Sequence, residues 1–144
     1  MRTLYRVAGI VLVCDQLTKF LAVQFLKPTT SAPVIPNFFQ LSFVENTGIA
    51  FGFFQGHPEF WTLIITGSVA ALLIGSYFFL SQPRSHRVAY GFILGGAVGN
   101  WIDRVRFEHV IDFLDFHVWP VFNVADSFIT IGVVLFIWFA LRGR

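Results

Sequence analysis

Hydrophobic residues gather into four long stretches along this chain, and polar or proline-bearing segments separate them. The stretches cover about residues 5–26, 60–80, 88–104 and 122–141. Each approaches the roughly 20 apolar residues with which a helix crosses a bilayer. The second carries no charge at all. The first is interrupted by Asp15, Gln16 and Lys19, and the third is rich in glycine and turns polar only at its end. The fourth has Asn123 and Asp126 near its start.

Between the first two stretches, Pro28, Pro33 and Pro36 exclude a helix. After them comes FFQLSFVEN at 38–46, where Gln40 and Ser42 alternate with Leu41 and Phe43. That period predicts a half-buried strand, closed by the turn-forming Asn46, Thr47 and Gly48. A small β-rich element over about residues 27–59 is therefore expected. The 105–121 segment is too short to span and is expected to be a loop or an interfacial helix. There is no internal repeat, and 144 residues suit a single domain, 1–144. The fold class predicted is an α-helical integral membrane protein of four transmembrane helices, with the β-rich element on its outer side.

Composition strengthens the membrane reading. Hydrophobic residues make up 56% of the chain, phenylalanine alone occurs nineteen times, and only 12% is charged. A soluble domain carries about twice that share of charge. Mean hydropathy is +0.70. The net charge of +2 gives no argument for a nucleic-acid partner. Where the cations sit is more informative. Arg2 and Arg6 precede the first span, Arg84 and Arg87 join the second to the third, and Arg142 and Arg144 follow the fourth. With an even number of spans all three groups share one side, which the positive-inside rule makes the cytoplasm. Both termini should then be cytoplasmic, and the segments 27–59 and 105–121 should face outward.

An ionisable side chain at membrane depth is costly, and it either pairs or serves function. Counting upward from the arginines at about 1.5 Å per residue, Asp103 and Asp126 each lie roughly 24 Å above their basic ends, and Lys19 about 20 Å. Three spans thus carry polar groups to one level, which suggests a shared site. On the third, Gly96, Asn100, Asp103 and Arg104 share a stripe, and on the fourth Asn123, Asp126 and Thr130 do. Gly91, Gly95 and Gly99 form overlapping GxxxG patterns suited to close helix packing. Asp15 and Lys19 stand in the favoured order for an intrahelical pair.

Plainer readings exist. Asp15–Lys19 reads equally as a neutralised pair that lets the first helix insert, and Asp103–Arg104 as a helix-end anchor. Asp115 reads as an exposed loop acid. His57, His86, His109 and His117 lack metal-ligand spacing and read as surface residues, so no metal site is expected. Cys14 can form no intramolecular disulfide and reads as an ordinary buried residue. Ser68, Ser76, Ser81 and Ser127 have no histidine and acid in a recognisable arrangement, which argues against a serine mechanism. A transport protein with Asp15, Lys19, Asp103 and Asp126 along an ion path would satisfy the helical charges alone. It would leave Asp112, in an outer segment with no evident local cation, unexplained.

Five blocks in order narrow the choice: DQLTK at 15–19, ENTGIAFG at 45–52, GGAVGNWIDR at 95–104, VIDF at 110–113 and FNVADSFITIG at 122–132. With them the chain resembles the bacterial lipoprotein signal peptidases (signal peptidase II) over essentially its whole length. The resemblance implies an aspartic peptidase that cuts diacylglyceryl-modified prolipoproteins just before the lipidated cysteine. It implies catalytic aspartates at Asp112 and Asp126. Substrate-binding or supporting residues would be Asp15, Lys19, Asn46, Gly48, Gly96, Asn100, Asp103, Arg104 and Asn123. Arg104 and Lys19 would serve as structural partners of Asp103 and Asp15. The family fold implied is four transmembrane helices and a small outer β cradle, in the bacterial cytoplasmic (inner) membrane. No cofactor is implied, membrane lipid is the other partner, and a monomer is expected.

Overall fold

In a computed structural model, which describes residues 2–48 and 58–142, the four apolar stretches are helices: α1 (Arg2–Phe25), α2 (Pro58–Phe79), α3 (Arg84–Phe107) and α4 (Val124–Leu141). Residues 49–52 of the ENTGIAFG block, the end of the expected outer segment, and His57 lie outside the described residues. By length and composition three helices can cross a membrane: α1, α2 from Glu59 onward, and α4. Helix α3 matches α1 at 24 residues. Its apolar run is cut short by Arg84, His86 and Arg87 at one end and by Asn100, Asp103, Arg104 and Arg106 at the other.

Packing explains why α3 differs. It touches α1, α2 and α4, so it is the inner helix of the bundle. Its glycines let the neighbours in. A Cβ on Gly95 would lie 2.5 Å from the Ala8 carbonyl of α1, and one on Gly91 2.8 Å from that of Leu4. On the next face, a Cβ on Gly96 would lie 2.6 Å from the Ala125 carbonyl of α4, and Gly132 of α4 approaches the Ala89 carbonyl in return. Small residues thus bring three backbones close, as helix association in lipid requires.

The polarity of the bundle is inverted relative to a water-soluble one. Leu63 and Ile74 of α2 are each 71% exposed. Buried instead are Asp15, Lys19, Asp103, Asp112 and Asn123, at 2% or less. An apolar exterior of this kind is solvated by hydrocarbon, and it surrounds polar groups that satisfy one another. Cys14, expected to be buried, is exposed among these outward apolar positions. His86 is also no simple surface residue: it is partly covered and packs its ring against Phe136 and Phe139.

One end of the bundle carries an antiparallel sheet of three strands, β1 (Ser31–Ile35), β2 (Phe39–Asn46) and β3 (Val110–Asp115), in the order β1-β2-β3. Pro33 sits in β1, an edge strand, where its missing N–H costs no ladder bond to a second neighbour. The third strand corrects the expectation of a loop or interfacial helix in 105–121. Helix α3 stops at Glu108, whose φ of 64° turns the chain and whose N–H donates to the Arg104 carbonyl. Val110 to Phe113 are then buried on both faces of the strand. Ile111 and Phe113 join Ala22 and Leu26 at the end of α1, with Leu41, Phe43 and Val124 around them. Asp112 projects to the other face. Register is set by Leu41 opposite Leu114 and Asn46 opposite Val110, with an irregularity between Leu41 and Val44. Asp115, read as an exposed loop acid, is in this strand and only 14% exposed. It accepts from Gln40 Nε2 at 2.7 Å, Ser42 Oγ at 2.9 Å and the His117 N–H at 2.9 Å. The Gln40 bond leads in holding its carboxyl below the usual range.

Candidate active site

Helix α4 begins with a capping box, and that local motif fixes the first acid. Asn123 is the N-cap; its Oδ1 accepts from the Asp126 N–H at 2.9 Å, and its own N–H donates to Asp126 Oδ2 at 3.2 Å. The cap therefore satisfies helix-end donors and at the same time orients the Asp126 carboxylate. Asp126 Oδ1 is held from the inner helix by Asn100 Nδ2 at 2.7 Å.

Strand β3 brings the second acid. Asp112 Oδ2 accepts from Asn46 Nδ2 at 2.7 Å, and Oδ1 accepts from Asn123 Nδ2 at 2.7 Å. Asn123 therefore touches both acids. Asp112 is 1% exposed. Burial pushes its carboxyl up to about 6, against the lowering effect of the Asn46 bond and with the nearby Asp126 charge adding to the rise. No cation pairs directly with either acid among the described residues.

The supporting residues from the sequence come together as well. Asn46 Oδ1 accepts from the Gly48 N–H at 2.9 Å. Gly48 has φ of 83°, a conformation that favours glycine, and a Cβ there would lie 3.2 Å from Arg104 Nη2. Lys19 Nζ reaches Asp15 Oδ2 at 2.9 Å, Asp103 Oδ2 at 2.8 Å and Asn100 Oδ1 at 2.9 Å, using all three of its donors. Gly96 lets α4 approach at Ala125, the residue before Asp126.

One expected pairing is wrong. Asp103 pairs with Lys19 of α1 and not with Arg104. Arg104 is 6% exposed, yet its Nε and Nη1 have no hydrogen-bond partner among the described residues. The helix turn explains the split, since neighbours in sequence point about 100° apart on a helix. Sequence reasoning also passed over Gln16 as a site residue. Its Nε2 lies 3.2 Å from Asp15 Oδ2, 3.2 Å from the Gly99 carbonyl and 3.1 Å from Asp103 Oδ1. The signal was present, because Gln16 interrupts an apolar stretch on its own account.

Beside Asp126 opens a groove of about 460 Å³ lined by Phe116, Trp119, Phe122, Ser127, Thr130 and Ile131. Its walls are almost wholly apolar, and among the described residues that line it Asp126 is the one charged group. Two acids held by neutral amides, one of them with a raised pKa, suit general acid–base work at a group delivered along such a groove.

Comparison with known proteins agrees with this chemistry. Residues 7–142 match the family described as signal peptidase (SPase) II. The lipoprotein signal peptidase of Caldanaerobacter subterraneus subsp. tengcongensis is 46% identical over 130 residues, covering 90% of this chain and 89% of that protein. That of Halothermothrix orenii is 40% identical over 137 residues, covering 93% and 94%. A solved bacterial membrane enzyme, determined in meso at 1.9 Å resolution, superposes with a TM-score of 0.86 at 34% identity, covering 100% of this chain and 96% of its own. A second, at 2.3 Å resolution, gives 0.84 at 35% identity, with coverage of 99% and 89%.

Proposed function

The chain belongs to the signal peptidase II family of bacterial membrane proteases, and on that premise we propose that Asp112 and Asp126 are its catalytic pair. The protein removes signal peptides from prolipoproteins. The single observation that carries the assignment is Asn123, whose amide bonds Asp112 and whose main chain bonds Asp126, the acid on the apolar groove.

The pair holds one proton between them in the working state. Burial, with the nearby Asp126 charge adding to it, favours the protonated form of Asp112, so the pair enters the reaction with a proton available. The ionised partner takes a proton from water, and the water oxygen attacks the scissile carbonyl. The protonated partner donates to the carbonyl oxygen, steadies the gem-diol, and the dyad returns a proton to the leaving amine. Asn46, Asn100 and Asn123 orient the acids without adding charge. Arg104, buried and with two donors unpaired among the described residues, faces Gly48 and supplies hydrogen bonds to substrate carbonyls freed when the signal helix unwinds. The substrate cysteine carries a diacylglyceryl group, and the cut falls just before it.

In the membrane, α3 is the fourth span. A helix enclosed by three others meets little lipid and needs no continuous apolar surface. Arg2, Arg6, Arg84, Arg87 and Arg142 lie at the ends of helices away from the sheet, which supports cytoplasmic termini and a site toward the outer face. The chain acts as one domain and as a monomer.

The test replaces Asp112 or Asp126 with Asn, verifies insertion, and follows cleavage of a diacylglyceryl-modified prolipoprotein. Precursor should accumulate with folding unchanged, and the rate should drop by at least about 10³-fold, the upper range for acid–base groups. Full cleavage by either variant ends the dyad assignment. An ion flux sensitive to Asp126 and indifferent to peptide would favour a transport role.

A further inference from the structure

The acids Asp112 and Asp126 are each preceded by a residue whose main-chain N–H is held by another buried carboxylate. The Ala125 N–H donates to Asp15 Oδ1 at 3.0 Å, and the Ile111 N–H donates to Asp103 Oδ2 at 3.2 Å. Asp15 comes from α1 and Asp103 from α3, so two helices reach out to the backbone of α4 and β3. Those two carboxylates are in turn joined twice. Lys19 Nζ bridges Asp15 Oδ2 to Asp103 Oδ2, and Gln16 Nε2 bridges Asp15 Oδ2 to Asp103 Oδ1. Gln16 also reaches the Gly99 carbonyl, and a Cβ on Gly99 would collide with the Asp15 carboxylate. No room is left for the Asp15 carboxylate to swing toward α3.

From this lattice we propose that Gln16 is a positioning residue, setting the separation of Asp112 and Asp126 through Asp15 and Asp103. The inference rests on the dyad reading above. Its logic is geometric. Lys19 alone ties one oxygen of each supporting carboxylate, and a group held at one point can pivot about it. The amide of Gln16 adds a second tie, to the other oxygen of Asp103, and so fixes the plane of that carboxylate. The plane of Asp103 aims at the Ile111 N–H, one residue from Asp112. A neutral amide does this without upsetting the charge balance among Asp15, Asp103 and Lys19. A displacement of about 1 Å in a reacting group costs up to roughly a hundredfold in rate.

The experiment compares Gln16→Met, which keeps volume and removes the donors, with Gln16→Ser, which admits water in place of the amide, and with Asp112→Asn. Each is purified in detergent and assayed on a diacylglyceryl-modified prolipoprotein. Both Gln16 variants should lower kcat about tenfold or more with KM within about twofold, the pattern of misplaced reacting groups. The alkaline limb of their pH profiles should also move to lower pH, because an Asp112 further from the Asp126 charge holds its proton less tightly. The charges facing the pair, Lys19 and Arg104 with Asp15 and Asp103, are the same in all the variants. Unchanged kcat and profile in a folded Gln16 variant overturn the inference while an inactive Asp112→Asn leaves the dyad standing. Lost stability with kcat and profile intact also overturns it, reducing Gln16 to packing. An active Asp112→Asn removes the dyad itself.

Discussion

Asn123 donates its side-chain amide to Asp112 at 2.7 Å while serving as the N-cap of the helix that carries Asp126. One residue thus does two separable jobs, and substitution can divide them. In Asn123→Asp the cap oxygen remains, so α4 should keep its start. The donor to Asp112 is replaced by a third carboxylate, and cleavage should fall on the order of 10²-fold or more. In Asn123→Ala the cap is lost as well, at about 1 kcal/mol. Thermal unfolding in detergent should therefore distinguish Ala from Asp, while prolipoprotein cleavage is low in both. An active Asp variant would mean that the bridge to Asp112 is dispensable.

The raised titration of Asp112 makes a prediction about stability. A carboxyl whose folded pKa is higher than its unfolded value binds its proton more tightly when folded. Its contribution is fully present below the unfolded value and is lost as pH climbs through the folded one. For Asp112 that window runs from the ordinary 3.8 to about 6, and the difference corresponds to roughly 3 kcal/mol. Asp112→Asn removes the penalty. Above pH 6 the Asn variant should melt higher than the parent, and the gap should close toward pH 4. Equal melting at pH 7 would contradict the burial of an ionising Asp112. The same titration predicts that kcat/KM of the parent declines on the alkaline side, starting near pH 6, as the shared proton is lost.

Two glycines test the packing behind the site. Gly96 meets the Ala125 carbonyl, where a Cβ would sit at 2.6 Å, whereas a Cβ on Gly67 would meet nothing within 4 Å. Gly67→Ala should be neutral or stabilising by about 0.5–1 kcal/mol through helix propensity. Gly96→Ala should push α4 away at the residue before Asp126, costing on the order of 1–3 kcal/mol from overpacking and most of the activity. Melting curves and cleavage rates on both variants settle it. A Gly96→Ala protein with parental activity would show that α4 has freedom to move there.

The sequence exposed much of this because membrane burial makes polar residues conspicuous. Asp15, Lys19, Asp103 and Asp126 stood out from apolar stretches, and in the structure Lys19 bonds Asp15 and Asp103 while Asn100 links Lys19 to Asp126. Strand β3 was illegible for the opposite reason. Its residues are covered on both faces, so they lack the alternation that marked β2. The exposure of Cys14 was misread because an apolar position in lipid is as much at home outside as inside. Three-dimensional hydrogen bonding was also out of reach. Nothing along the chain says that Asp103 turns to Lys19 and away from Arg104, or that Ala125 and Ile111 lend their N–H groups to distant acids.

The Arg104 guanidinium, which Asp103 does not take, yields the remaining prediction. A buried donor without a partner costs about 1–3 kcal/mol, and more when charged, and among the described residues Arg104 Nε and Nη1 have none. Arg104 offers Nε and Nη1 beside Gly48 and near Asp112. Arg104→Lys keeps the positive charge near the acids but replaces a planar fork with a shorter point charge. If the fork holds substrate carbonyls, this variant should fold with near-parental stability and lose about tenfold or more in kcat/KM, most of it through KM. The pH profile should stay in place, because the charge beside the dyad is retained. Should the profile shift while KM holds, Arg104 acts on the titration of the acids and not on the substrate. Should Arg104→Lys cleave at the parental rate, the open donors serve neither purpose.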